Sequence, residues 1–286
     1  MNEKYLLKLQ QDLRLKNYTK NTCEDYYRFV VRFLDFVGKD AMSITYADIR
    51  KFIFYMQDTE HKKPATINVY TAAIRFFFMY TLGYTWDSRK IPKMKCDKKL
   101  PVILTREEVN RLIDSIDNYK HKAITATMYS SGLRVSEVCR LRYEDISRTK
   151  KTIHVPLSKN RQDRYTILSD YNLDILTEYW YQFNRPMGWL FPSTVRDAPL
   201  TTASVEQFIK EHVCKLGLPE GVTPHTMRHS FACHMLEEGV SHTFIQQLLG
   251  HRNPSSTDVY LQMTSKALMG IRSPFDTYRE ECDGNR

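Results

Sequence analysis

The sequence predicts a mainly α-helical protein in two domains, an all-α amino-terminal domain followed by a mixed α+β domain with one small β-hairpin. Three observations predict this. Apolar residues recur at helical spacing on both sides of residue 100, the pattern of helices with one face on a core. A stretch rich in lysine and proline, SRKIPKMKCDKKLP, breaks that pattern at residues 88–101, and proline keeps such a stretch out of a regular helix. Between residues 153 and 167 the period shortens to two around the polar turn SKNRQD, which is strand spacing. The expected division is a helical domain at 1–87, a basic linker at 88–101 and a second domain at 102–286.

Four helices are expected in the first hundred residues. The opening MNEKYLLKLQQDLR is charged throughout rather than built as a signal peptide. In NYTKNTCEDYYRFVVRFLDFVG, the side chains of Tyr26, Phe29, Val30, Phe33, Phe36 and Val37 share one face, and Gly38 follows as a stop. Thr45 and Asp48 stand in capping-box register at the head of TYADIRKFIFYM. The last helix carries Ile67, Tyr70, Ile74, Phe77 and Phe78 before Gly83. These aromatic stripes are read as core packing.

The second domain restarts at a further capping box, Thr105 with Glu108, giving helices near 105–116 and 121–130. The hairpin follows, with Ile153, Val155 and Leu157 on one strand and Tyr165 and Ile167 on the other as its apolar face. Helices resume near residue 170, and no internal repeat is present.

Charge narrows the function. The chain holds 42 Lys and Arg against 33 Asp and Glu. Residues 1–100 have 19 basic against 11 acidic side chains, whereas residues 101–286 have 23 against 22. A basic excess confined to one third of the chain points to a segment that meets a polyanion, most often nucleic acid. Lys90, Lys93, Lys95, Lys98 and Lys99 are the candidates for lying along a phosphate backbone. No run approaches the roughly 18 apolar residues that cross a bilayer. The six cysteines are scattered without a CxxC pair, so the expectation is a soluble cytoplasmic protein with free thiols. His225, His229 and Cys233 fall on one helical face, but the run lacks the acidic ligand or base of metal-enzyme motifs, and no metal is expected.

Four short stretches hold polar residues that a plain core does not need. SSGLRVSEV sets Arg134 at a helix start, with Glu137 one turn on. The hairpin turn holds Lys159. TPHTMRHSF begins a helix with Thr223 as cap and Pro224 in the first turn, so that His225 and Arg228 share a face. LGHRNPSSTDVY sets His251 after a glycine and Tyr260 nine residues later. Each alone has a bland reading: a surface ion pair, a solvated lysine, a chance spacing. Together they serve one chemistry. Two guanidiniums can fork onto the non-bridging oxygens of a phosphodiester, which lysine cannot copy. A tyrosine can then attack phosphorus if a base or electrostatic help offsets its pKa of roughly 10, and an imidazole suits that task. An ammonium can protonate the leaving sugar oxygen.

These stretches resemble the tyrosine recombinases, or phage integrase family, over roughly residues 3–270, and look most like its compact Xer and transposon-encoded members. In that family SGLRxSE carries the first arginine, the hairpin the lysine, HxxRHSFA a histidine and the second arginine, and LGHxxxxxTxxY another histidine and the nucleophile. By position the resemblance implies Arg134, Lys159, His225, Arg228, His251 and Tyr260 as catalytic residues, with Glu137 in support. The family's hairpin lysine is often flanked by glycines, whereas Ser158 and Asn160 flank Lys159, so Lys151 stands as a second candidate. Tyr165 and Tyr278 lack the upstream histidine of a nucleophile motif.

The resemblance further implies a C-shaped clamp of core-binding and catalytic domains acting on double-stranded DNA sites without metal, nucleotide or other cofactor. Strands are cut through a 3′-phosphotyrosine, and a homotetramer exchanges them by way of a Holliday junction. The free protein is a monomer or dimer, and a carboxy-terminal segment, here within TSKALMGIRSPFDTY, docks on a neighbour. The first helical module begins almost at Met1, so no added arm-binding domain is expected, which favours a simple two-site reaction for a mobile element. Three other readings share parts of this set: resolution of chromosome or plasmid dimers, relaxation by a type IB topoisomerase, and DNA binding without chemistry.

Overall fold

The computed structural model describes residues 2–97, 100–156, 163–195, 198–250 and Tyr260. The chain divides into two compact units, Met1–Lys99 and Leu100–Arg286.

The first unit is built on helices α1 (Glu3–Leu15), α2 (Lys20–Val37), α3 (Tyr46–Phe54) and α4 (Pro64–Phe76). The last turns of α3 and α4 widen into π-helical turns at Tyr55–Thr59 and Phe77–Thr81. Local chemistry sets the ends. The Thr19 hydroxyl accepts from the Thr22 amide, Gly38 closes α2 in the left-handed region at φ 65°, and Thr45 and Asp48 form their capping box. Leu9, Leu13, Phe33, Ile49, Phe52, Ile74 and Phe77 have no exposed surface, each contributing about 1.5–3 kcal/mol by leaving water. Phe36, expected on the buried stripe, is 41 % exposed and lies against Phe52 and Tyr55. The basic stretch is fastened to this unit. Ile91 enters its core, and the Asn68 side chain brackets Met94, accepting from its amide at 2.9 Å and donating to its carbonyl at 3.0 Å. Lys90, Lys93 and Lys95 are exposed, and Lys98 and Lys99 lie outside the described residues.

The second unit contains α5 (Arg106–Asp114), α6 (Tyr119–Ser131), α7 (Val135–Cys139), β1 (Ile146–Ser147), β2 (Thr152–Val155), β3 (Arg164–Ile167), α8 (Asp170–Gln182), α9 (Thr202–Leu216), α10 (Pro224–Glu237) and α11 (His242–Leu249). Helix α6 runs through its centre. It is started by the Asn118 side chain, which accepts from the amides of Lys120 and His121, and its small buried residues Ala123, Thr125, Ala126 and Thr127 let α8 and α10 pack against it. It ends at Gly132, at φ 62°, where a Cβ would stand 2.5 Å from a ring carbon of Phe231. Only glycine lets α10 approach this turn so closely.

The strands form an antiparallel sheet in the order β1-β2-β3. On β2 the buried residues are Ile153 and Val155, as the alternation predicts. On β3 the expected face is wrong. Ile153 pairs with Thr166 and Val155 with Arg164, and these polar residues are the buried ones, while Tyr165 is 64 % and Ile167 37 % exposed. Register, not hydrophobicity, decides the face, because pairing partners share a side of the pleat. Thr166 satisfies its hydroxyl on the Ser131 carbonyl, and Arg164 finds a carboxylate. Leu157 and most of the turn, with Lys159, lie outside the described residues.

Candidate active site

The site gathers where the end of α6, the start of α7, β3, α10 and the end of α11 meet. The turn at Gly132 delivers Arg134 to the N-terminus of α7, where Glu137, one turn on, accepts from the Arg134 amide at 2.9 Å and from its Nη1 at 2.6 Å. From β3, Arg164 forks onto the same carboxylate, Nη1 to Oε1 at 2.9 Å and Nη2 to Oε2 at 2.7 Å. From α10, Arg228 comes within 3.7 Å of it. Three guanidiniums therefore surround one carboxylate, and these four side chains carry a net charge of +2.

Backbone carbonyls complete the frame. Arg228 donates through Nη1 to the Gly132 carbonyl at 2.7 Å and through Nη2 to that of Leu249 at 2.6 Å. Arg164 donates through Nε to the Leu248 carbonyl at 2.8 Å. Two arginines thus grip the last turn of α11, just before the chain continues toward His251 and Tyr260. Gly250, in the left-handed region at φ 65°, leaves the room this needs: a Cβ there would stand 2.9 Å from Arg164 Cδ.

Tyr260 is buried against Phe231, Cys233, Ile245 and Leu249. Its hydroxyl lies 3.0 Å from Nδ1 of His229. Helix α10 thus presents Arg228 and His229 side by side, with His225 one turn earlier, its ring 6.5 Å from that of His229.

Electrostatics follows from burial among cations. Burial pushes the Glu137 carboxyl up, but the hydrogen bond and charge of Arg164, then those of Arg134, outweigh it and hold the group at about 2. Burial, then repulsion from His225 and Arg228, brings His229 down to about 4, so it is neutral at pH 7. Partial burial, then the charges of Arg228 and Arg134, also lower His225. Burial raises the Tyr260 phenol, and the positive charges of Arg228 and Arg134 oppose that rise. Burial, then repulsion from Arg134, lowers Arg228 to about 9, which leaves it charged at neutral pH. The arrangement can bind an anion beside a phenol and take a proton onto a neutral imidazole.

The sequence pattern of the Phage integrase family matches residues 103–266, and that of the Phage integrase N-terminal SAM-like domain matches residues 5–88. The chain belongs to the phage integrase family of tyrosine recombinases. Over 270 residues it is 36 % identical to y4qK of Sinorhizobium fredii, an inferred integrase/recombinase, spanning 94 % of this chain and 87 % of the relative. It is 33 % identical to the tyrosine recombinase XerA of Pyrococcus horikoshii, over 90 % of this chain and 88 % of that one. Its fold matches the crystal structure of a lambda integrase dimer bound to a core site with a TM-score of 0.73 at 18 % identity, covering 90 % of this chain and 94 % of that one. This recombinase is an enzyme of site-specific DNA recombination.

Of the residues singled out in the recombinase sequence, Arg134, Glu137, Arg228 and Tyr260 come together, with His225 on the same helix as Arg228. Lys159, His251, Tyr278 and the carboxy-terminal segment lie outside the described residues. Lys151 precedes β2, at the end of the hairpin away from the turn, and pairs with Asp170. Tyr165 faces away from Arg164, its ring tilted against that of His154. Two neighbours of the site escaped the sequence reading. His229 stands in the sequence only on the helical face with His225 and Cys233, and its place next to Arg228 is the signal that marks it. The apolar residues of the strand do not point to Arg164; its signal is an arginine in register with the buried Val155.

Proposed function

We propose that this recombinase cuts and rejoins duplex DNA through a covalent bond between Tyr260 and a strand end. The Tyr260 oxygen attacks phosphorus while Arg134 and Arg228 hold the non-bridging oxygens. The bond from phosphorus to the 5′ oxygen breaks, leaving a 3′-phosphotyrosine. The phenolic proton passes to an imidazole, and the departing 5′ oxygen takes a proton from Lys159. A 5′ hydroxyl of the partner strand then attacks the phosphotyrosine and restores both groups. The ester keeps the energy of the cut linkage, so the step calls on no metal or nucleotide. Glu137 holds Arg134 in place, His225 hydrogen-bonds the phosphate, and His251 assists Tyr260.

The observation that supports this most is the set of three guanidiniums around a single carboxylate, beside a buried phenol. Buried charge of one sign is costly until an anion arrives, and a phosphodiester supplies one with planar geometry suited to forked contacts. Stabilisation of charge developing on the phosphoryl oxygens then lowers the barrier.

The wider cycle rests on the resemblance and on the relatives' names: four protomers bring two sites together in the cytoplasm, exchange one strand pair, pass through a Holliday junction and exchange the other, in the service of a mobile element. The test uses nicked duplexes of random sequence, from which covalent adducts are captured on a denaturing gel and sequenced. An adduct that disappears in Tyr260→Phe supports the chemistry; none from the wild type rejects it. Strand exchange between two captured sites separates a recombinase cycle from relaxation alone. Inverted repeats matching those sites beside the coding region check the mobile-element assignment.

A further inference from the structure

Arg164 is in neither the sequence-derived site nor the proposed reaction steps, yet it spends its whole guanidinium on the site. Two of its nitrogens hold the two oxygens of Glu137, and the third holds the Leu248 carbonyl. It is buried, and the missing side chain at Gly250 leaves space for its stem. Its strand begins five residues after Lys159 in the chain. Through this side chain β3 is joined to two other parts of the proposed machinery: the carboxylate that holds Arg134 and the last turn of α11.

We infer that Arg164 is a positioning residue for strand cleavage, fixing Glu137 so that Arg134 is aimed at the phosphate and tying β3 to the last turn of α11. The inference rests on the proposed phosphotyrosine chemistry and deepens it. Arg164 itself need not touch DNA. A planar fork with a third donor at right reach is what the geometry uses, and lysine offers a single point of charge instead. Arg164→Lys therefore keeps the charge and loses the aim. Outer contacts that orient reacting groups typically change activity by about 10–100-fold.

The groups facing Glu137 are Arg134 at the start of its own helix, Arg164 from β3, Arg228 from α10, and His225, whose ring its charge reaches. Arg164 supplies the strongest opposition to burial at this carboxyl. With it replaced, burial is less opposed and the carboxyl titrates at higher pH. A purely structural role for Arg164 does not predict a new acid limb that depends on Glu137.

The experiment measures single-turnover adduct formation by the full chain on a captured nicked duplex, from pH 8 down to pH 5, for wild type, Arg164→Lys, Arg164→Met and Arg164→Met with Glu137→Gln. Expected are a cleavage rate about 10–100-fold lower in Arg164→Lys at saturating DNA with affinity within about twofold, and an acid limb in Arg164→Met that the double variant lacks. Near-native cleavage in both single variants overturns the inference. So does a loss that only follows the unfolded fraction and brings no acid limb. In parallel, carbon-13 titration of Glu137 in the DNA-free protein, assigned by its absence in Glu137→Gln, compares wild type with Arg164→Lys. An unmoved carboxyl overturns the inference. If the wild type forms no adduct, the phosphotyrosine reading falls and takes the catalytic role of Arg164 with it, while a moved carboxyl still establishes its hold on Glu137.

Discussion

The Tyr260 hydroxyl sits 3.0 Å from Nδ1 of His229, and that imidazole is uncharged at neutral pH because burial, then His225 and Arg228, hold it down at about 4. An uncharged ring nitrogen at this distance orients the phenol, and it becomes a better acceptor for the proton only when an anion offsets the positive charges that hold its pKa down. His229→Gln keeps a polar partner but no base. If the imidazole only orients the hydroxyl, single-turnover cleavage falls by about tenfold or less, the worth of one hydrogen bond. If it takes the proton, the loss is about 100-fold or more. Tyr260→Phe, measured beside it, gives no adduct.

The two arginines proposed to hold the phosphate should fail in different ways. Arg134→Ala and Arg228→Ala each lower cleavage by roughly 100–1000-fold, the usual cost of losing a donor to transition-state charge, while DNA affinity in gel shifts stays close to that of wild type. Stability separates them. Arg228 serves the carbonyls of Gly132 and Leu249, and leaving those buried acceptors unpaired costs about 1–3 kcal/mol each. Glu137 keeps its fork to Arg164 when Arg134 is removed. Arg228→Ala therefore melts well below Arg134→Ala in calorimetry. Melting in the reverse order contradicts the carbonyl frame.

Acid unfolding should show two groups in separate windows. His229 has its folded value lowered to about 4 from 6.5, so its contribution is complete above pH 6.5 and is lost as pH falls toward 4. Glu137 is lowered to about 2 from 4.5, so its contribution is complete above pH 4.5 and is lost as pH falls toward 2. For this buried carboxyl the difference amounts to about 3 kcal/mol. Urea midpoints of wild type and Glu137→Gln at pH 7, 5 and 3 check it. The variant starts about 3–5 kcal/mol lower, having left three guanidiniums without their carboxylate, and then changes less between pH 5 and 3.

Much of the fold and the site is legible in the amino-acid sequence. Both capping boxes, the stop at Gly38, and the juxtaposition of Arg134 with Glu137 follow from short-range rules that depend on few residues. What escaped depends on pairing across distance. The face of β3 is set by its register with β2, and an arginine there is buried because Glu137, 27 residues earlier, meets it. Likewise Phe36 shares a helical face with Phe33 yet stays partly in solvent, because the neighbouring helices cover only part of that face. His229 was legible as a position and not as a contact, since nothing local ties it to a tyrosine 31 residues away.

Two glycines in the same backbone region should differ sharply on substitution. Gly38 and Gly132 have φ near 65° and 62°, but a Cβ meets nothing within 4 Å at Gly38 and stands 2.5 Å from a Phe231 ring carbon at Gly132. Gly38→Ala therefore costs only the left-handed strain of about 1–2 kcal/mol. Gly132→Ala adds about 1–3 kcal/mol of overpacking and displaces the carbonyl that Arg228 uses. Thermal melts compare the two costs. Cleavage per folded molecule should fall only in Gly132→Ala.

The exposed lysines of the basic stretch make a prediction of another kind. Lys93 and Lys95 sit beside residues anchored to the first unit by Ile91 and Met94, so their charges have a fixed base from which to meet a phosphate backbone. Each phosphate contact contributes close to one unit to the slope of log affinity against log salt. Lys93→Gln with Lys95→Gln should weaken binding equally on unrelated duplexes and flatten that slope by about 2. Lys151 is the matched control, since it is already paired with Asp170 at the hairpin end opposite the turn. Lys151→Gln should leave both the slope and the cleavage rate near wild type, whereas a collapse of cleavage in it alone makes Lys151, and not Lys159, the source of the proton for the departing strand.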